Sequence, residues 1–269
     1  MNLRQVEPIT CDSVTVAWDP PMENAARYRL NLAGTHDITD TTLTVVDQPP
    51  ASLMECQVTA YDADDAILAQ SETIAVATRV APMGEITLAS VTTDQADLNW
   101  QRPTGADNFL VQVDDVEYGQ IQSHSPPSPA ILLTGLPTGR KVRATITGTS
   151  NFPPIQPGES SSIELCTQLQ APTIQQGEQN SSNGVREARL NIQLFIPNPG
   201  ASLLLYRDGE LILTAPLGEA AGWVGTFADQ GENCQGLQSG TYSYRAGLVN
   251  AVGAVSGLSN EVSVTVVGE

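Results

Sequence analysis

The chain has one lysine, Lys141, two histidines, four cysteines and few aromatic residues, 5% in all. Lys and Arg together number 12 against 30 Asp and Glu, so the formal charge is -18 and the pI about 4.2. A phosphate backbone is repelled by such a surface, which excludes nucleic acid as a partner. His36 and His124 lie in the turn-rich stretches GTHDITD and QSHSPPSP, in different segments, and read as surface-loop residues. Neither can complete a nucleophile-histidine-carboxylate set. Four cysteines in 269 residues are too few for a disulfide framework, and no two form a C-x-x-C pair, so free thiols are expected. Cys56 sits in the alternation Met54, Cys56, Val58, Ala60, the pattern of a buried and inert thiol. No apolar run approaches the roughly 20 residues of a membrane-spanning helix. The opening MNLRQVEPITCDSVTVAW lacks the basic, apolar, small-residue order of an export leader, so the expectation is a soluble chain made in the cytoplasm. G-x-S-x-G, H-E-x-x-H, Walker and dinucleotide fingerprints are missing as well, so no cofactor, no catalytic residue and no enzyme are expected.

What the chain does have is turns and a repeat. Hydrophobic residues make up 41%, with 22 glycines and 18 prolines, the composition of ordered, turn-rich domains. Three stretches share one phrase: SETIAVAT at 71–78, SSSIELCT at 160–167 and SNEVSVTV at 259–266. Ile74, Ile163 and Val262 align, as do Val76, Leu165 and Val264, which is a strand with one face inward. From Ile74 to Ile163 is 89 residues and from Ile163 to Val262 is 99. Short connectors ending in Ala-Pro, at Pro82 and Pro172, follow the first two phrases, and proline suits a strand entrance. Three domains are therefore expected, at 1–79, 80–168 and 169–269.

Other rows repeat in register. Val14, Val16 and Trp18 match Ala96, Leu98 and Trp100, and the third segment has Leu190, Ile192 and Leu194 before Pro197. A large apolar residue ending an inward row suits the centre of a two-sheet core. Tyr28, Leu30 and Leu32 match Phe109, Val111 and Val113, whereas SLLLYRDGELIL in the third segment carries the two-residue hairpin turn Asp208-Gly209. A further row is Met54, Cys56, Val58, then Val142, Ala144, Ile146, then Tyr242, Tyr244, Ala246. Helical periodicity is nearly lacking, so the fold class is all-β: three consecutive antiparallel sandwiches.

These residues carry a resemblance. The three segments resemble fibronectin type III or related immunoglobulin-like domains, most closely in TYSYRAGLVNAVGAVSGLSNEVSVTV, 241–266. There Tyr242 is similar to the family's tyrosine corner and Asn250 to Gly253 to its turn, while Trp18 and Trp100 resemble its core tryptophan. Met54 and Val142 depart from the corner pattern, and Leu194 stands in place of a tryptophan. The resemblance implies a fold, three sandwiches of about 35 Å each in a rod on the order of 100 Å, from about ten residues per strand. It implies a structural core of Trp18, Trp100, Leu194 and Tyr242, and no chemistry.

Binding is expected in loops. SHSPPSPA, 123–130, and SNFPPIQPGE, 150–159, are stiffened by proline, so His124, Pro126, Pro127, Phe152, Pro153 and Ile155 are candidate partner contacts. Asp62, Asp64 and Asp65 form an oxygen-rich turn that invites comparison with a calcium site but lacks a terminal glutamate, and reads as a solvated hairpin. Trp223 and Phe227 read as filling the third core rather than stacking on a sugar. The expected function is a non-enzymatic structural or attachment component of an assembled particle, a bacteriophage virion (tail, baseplate, neck, fibre or head decoration), assembled in the host cytoplasm. Its partners would be other structural proteins of that assembly, in multiple copies, and a cell-surface glycan or receptor, without nucleic acid or membrane insertion. The alternative is a secreted or surface bacterial module for adhesion or carbohydrate binding.

Overall fold

A computed structural model of the chain describes residues 1–21, 25–182, 185–194, 201–217 and 224–268. Strands β1 (Leu3–Val6), β2 (Val14–Trp18), β3 (Arg27–Asn31), β4 (Thr35–Ile38), β5 (Thr42–Val45), β6 (Leu53–Tyr61), β7 (Ile67–Gln70) and β8 (Ile74–Ala77) build a first sandwich. The second contains β9 (Ile86–Val91), β10 (Gln95–Trp100), β11 (Asn108–Asp115), β12 (Gly119–His124), β13 (Ala130–Thr134), β14 (Lys141–Thr149) and β15 (Ser161–Cys166). The third contains β16 (Thr173–Ser182), β17 (Val185–Gln193), β18 (Ser202–Arg207), β19 (Glu210–Pro216), β20 (Val224–Asp229), β21 (Gly240–Val249) and β22 (Val262–Val266). All pairing between these strands is antiparallel.

One strand order serves all three. A three-stranded sheet, β1-β2-β5, β9-β10-β13 or β16-β17-β20, faces a second sheet, β4-β3-β6-β7, β12-β11-β14-β15 or β19-β18-β21-β22. In the first sandwich the closing strand is split, since β7 pairs with one end of β6 and β8 with the other. Ser71 sits at the break, where its Oγ accepts from the Val58 N–H (3.1 Å) and donates to Glu72 O (2.8 Å). Ser259 repeats the device on Ala246 (2.8 Å) and Asn260 O (2.7 Å). A serine opens these phrases because its hydroxyl satisfies a backbone N–H that the departing strand leaves behind.

The cores follow the period of two. Val14, Val16 and Trp18 point inward with Leu30, Cys56 and Val58 in the first; Leu98, Phe109, Val111 and Ile146 fill the second; Leu190, Ile192, Leu203 and Tyr244 fill the third. Trp18 meets Tyr28 edge-on at 5.5 Å between centroids, and Trp100 meets Phe109 at 5.1 Å. Both indole N–H groups are buried without a hydrogen-bond partner among the described residues, so these side chains serve by volume rather than polarity. Leu194, 4% exposed, occupies the corresponding place in the third sandwich. The hydroxyl of Tyr242 donates to Gln238 O (3.0 Å), the tyrosine-corner bond, whereas Met54 and Val142 simply pack. Asp208 and Gly209, with φ of 53° and 88°, make the expected two-residue turn between β18 and β19.

The reading of the two histidines changes. His36 and His124 belong to edge strands rather than loops: His36 Nε2 lies 3.0 Å from Leu32 O, and His124 closes β12 beside Gln122 Oε1 at 3.0 Å. Phe227, in β20, packs half-buried against the third core, while Trp223 and Pro197 lie outside the described residues. Replacing Trp18 or Trp100 by alanine is expected to cost about 3–5 kcal/mol and to unfold its own sandwich first. Urea titration followed domain by domain checks this, and an effect at the level of a surface substitution contradicts the core assignment.

Candidate functional site

Strand register brings the two proline loops to one end of the second sandwich. β11 starts at Asn108, paired with Thr149 at the end of β14, and its Val111 pairs with His124 at the end of β12. The Phe109 N–H donates to Pro126 O (3.1 Å), and the Arg102 guanidinium donates to Ala106 O (2.7 Å), Asp107 O (3.0 Å) and Pro127 O. Asn108 Nδ2 reaches Asn151 Oδ1 (2.7 Å), and Asp107 Oδ2 accepts from Ser150 Oγ (3.1 Å) and the Asn151 N–H (2.9 Å). The two loops thus flank one strand start and form one surface.

That surface is partly spent within the chain. Ile155 packs half-buried against the second core, its N–H closing a turn onto Phe152 O (2.9 Å). Gln156 O accepts from the Val80 N–H (3.0 Å) and Glu159 O from the Met83 N–H (3.0 Å), which fastens the loop's far limb to the connector from the first sandwich. Gly158 is required there, because a Cβ would stand 2.4 Å from Ala81 O. What faces solvent is Phe152, 63% exposed, with Pro127 and Pro153, while Pro126 and His124 are half-buried. A single exposed aromatic on a rigid turn can anchor a partner.

The acidic turn is also committed internally. Asp62 Oδ1 accepts from the backbone N–H groups of Asp64 (2.9 Å) and Ala66 (2.8 Å), and Asp65 pairs with Arg27 at 2.8 Å. Among the described residues no group of three or more His, Cys, Asp or Glu side chains could hold a metal ion.

The third sandwich holds a polar clamp that no pattern in the sequence announces. Asp229 at the end of β20, 7% exposed at its side chain, accepts through Oδ2 from Arg207 (2.9 Å) and from the Tyr244 hydroxyl (2.8 Å). Its Oδ1 accepts from the Gly231 N–H (2.9 Å). Arg207 and Tyr244 lie on β18 and β21, so the carboxylate ties one sheet to the other. Burial, with the bond to Asp229, pushes the Tyr244 phenol upward and keeps it neutral. Beside it Glu187, 1% exposed at its side chain, accepts from Gln230 (2.8 Å), Asn180 (2.7 Å) and Arg189 (2.6 Å). These bonds, Gln230 first and then Asn180, hold its carboxyl below the ordinary glutamate range. On the outer face of the same sandwich, a groove of about 620 Å³ lies between Tyr206, Leu258 and the Arg245–Glu261 ion pair (3.1 Å). Arg245 and Glu261 pair with each other there, and Asp208, on the same wall, accepts from the Ser243 N–H (2.8 Å).

No protein-family model matches the chain, and no curated protein does. Among solved structures it is similar to a two-domain fibronectin type III segment of chicken tenascin, with 18% identity, a TM-score of 0.45, and coverage of 62% of this chain and 98% of that one. It is similar to the fibronectin domain of human collagen alpha-1(XX), with 27% identity, a TM-score of 0.29, and coverage of 33% and 85%. It is also similar to the central fibronectin array of RIM-binding protein, with 14% identity, a TM-score of 0.29, and coverage of 99% and 96%. The strand order repeated three times and the Tyr242 corner give the fold: tandem antiparallel sandwiches of fibronectin type III and immunoglobulin-like architecture.

Asp229→Ala leaves Arg207 and the Tyr244 hydroxyl without their partner, and is expected to destabilise the third sandwich by about 3–5 kcal/mol. Denaturant unfolding of this variant beside Tyr244→Phe measures it. Because Glu187 is held below its unfolded value of about 4.3, its contribution is complete above that pH and lost as pH falls through the lower folded value. Acid titration of stability should therefore show a step that Glu187→Gln removes. Burial pushes the Cys56 thiol up to about 11, whereas Cys234 is exposed. Thiol labelling at pH 8 is expected to modify Cys234 first and Cys56 last, with all four cysteines free in the unfolded chain.

Proposed function

We propose that the protein is a non-enzymatic structural or attachment component of an assembled particle, and that the particle is a bacteriophage virion. The observation that carries this reading is serial construction: three sandwiches of one design follow each other with connectors of 8 residues, 78–85, and 6 residues, 167–172. Such a chain spaces its ends and offers side faces, which suits a tail, baseplate, neck, fibre or head decoration. Its acidic surface favours protein partners over nucleic acid. Copies docked on neighbouring structural proteins would leave the Phe152 loop or the outer groove of the third sandwich for a glycan or receptor.

Electron microscopy of purified particles labelled with an antibody to this chain tests the reading. Label at a fixed position on a tail or head supports it; label confined to a bacterial surface, with binding of the purified chain to polysaccharide, overturns it in favour of an adhesion module. The purified chain is expected to turn over no glycoside or ester substrate, and activity abolished by one carboxylate or serine substitution would refute the non-enzymatic role.

A further inference from the structure

The two connectors are built alike. Thr78 and Thr167, each 0% exposed, directly follow β8 and β15. Thr78 Oγ1 donates to Pro49 O (2.7 Å) and accepts from the Ser52 N–H (2.8 Å); Thr167 Oγ1 donates to Pro137 O (2.5 Å) and accepts from the Arg140 N–H (3.0 Å). Each threonine therefore staples the connector to the turn before β6 or β14, at the same three-residue spacing. One residue on, the Arg79 N–H donates to Thr10 O (2.8 Å) and the Gln168 N–H to Thr92 O (2.9 Å), so the connector is also held to the turn that follows β1 or β9. Up to this point every bond is to the sandwich being left.

The next residue belongs to the sandwich being entered. Val80, 1% exposed, is a member of the second core, and Leu169, 2% exposed, is a member of the third. Their N–H groups donate to Gln156 O (3.0 Å) and Val255 O (3.1 Å), in the loop before β15 and before β22 respectively. The turns that the threonines hold contribute as well. Ala51, at φ 54°, packs on the second core, and a Cβ on Gly105 would stand 2.1 Å from the Ala51 Cβ. Gly139, at φ 67°, occupies the matching place, where a Cβ would stand 2.3 Å from Leu169 Cδ2, and its carbonyl accepts from Asn250 Nδ2 (2.6 Å).

We propose that Thr-x-Val at 78–80 and Thr-x-Leu at 167–169 are locking joints that fix the three sandwiches as one rigid body. Only one residue separates an anchor in one domain from a core residue of the next, and that residue is itself hydrogen-bonded. No rotatable stretch is left to act as a hinge. Domains joined in series ordinarily move relative to one another unless an interface restrains them. Here the restraint is the chain itself, threaded into two cores. The joint is a property of the chain and is independent of which particle it serves.

Residual dipolar couplings of the full-length protein test this. One alignment tensor is expected to fit all three sandwiches, and three tensors of different magnitude would overturn the proposal. Insertion of Gly-Ser-Gly-Ser between Arg79 and Val80 lengthens the joint without removing a core side chain. It is expected to split the first sandwich from the other two, with amide shifts away from the joint unchanged. An insertion that leaves the common tensor intact would place the rigidity elsewhere and refute the joint. The same insertion after Gln168 should release the third sandwich alone. Insertion into the exposed 62–65 turn should leave the common tensor in place, and loss of it there would mean that the effect is not specific to the joints.

Discussion

Each of the first two closing strands must complete one antiparallel sandwich and deliver the chain into the next, and the buried hydroxyls of Thr78 and Thr167 are where the two tasks meet. A strand running past the end of its sheet exposes N–H and C=O groups that need partners. The threonine supplies both kinds of partner to the neighbouring turn, which ties the departing chain to that turn and sets its direction. An apolar side chain two residues later then faces the next core by the ordinary alternation of an extended backbone. Ala-Pro follows in both connectors, and proline there costs no ladder bond because the new strand has not yet begun.

The three cores solve the same packing problem with different chemistry. In the first two, an indole set edge-on against a second ring fills the centre, and among the described residues the buried Trp18 and Trp100 N–H groups have no partner. The third has Leu194 at this place, a smaller side chain, and ties its sheets through Asp229, Arg207 and Tyr244 instead. A buried carboxylate is costly unless its lone pairs are used, and here Oδ1 and Oδ2 take three donors between them. An aromatic core is insensitive to pH. The third sandwich answers to acid through Glu187, whose carboxyl is held below its ordinary range by Gln230 and Asn180.

Much of this was legible in the sequence because the signal is period-two alternation repeated three times in register. Val14 to Trp18, Ala96 to Trp100 and Leu190 to Leu194 gave themselves away by spacing alone, and Asp208-Gly209 by turn chemistry. The joints were not legible in the same way. Val80 and Leu169 stand in short connectors without an alternating apolar row, so they carry no period; only comparison of ATRVAP with CTQLQAP shows a threonine two residues before each. The polar clamp was hidden for another reason. Asp229, Arg207 and Tyr244 come from three strands, and nothing local distinguishes a buried Asp229 from the solvated Asp62. The loop surface was half legible: proline marked both loops, but not that one would be spent on the connector, which left Phe152 exposed and took Ile155 into the core.

That division narrows where a partner can bind. The limbs of the loops before β15 and β22 that carry Gln156, Glu159 and Val255 are taken up by the connectors, so this part of each sandwich end is closed while the Phe152 turn stays exposed. The sides remain. Their exposed apolar side chains, such as Ile67, Leu132 and Leu211, belong to three different sandwiches, and isolated residues of this kind are ordinary on a soluble surface. The -18 charge adds a constraint of its own, since copies of an acidic chain repel each other at close range. At physiological ionic strength this repulsion falls off over about 8 Å. Copies held apart by a scaffold would scarcely feel it, whereas copies packed side by side would. A chain of this charge therefore resists bundling side by side with copies of itself.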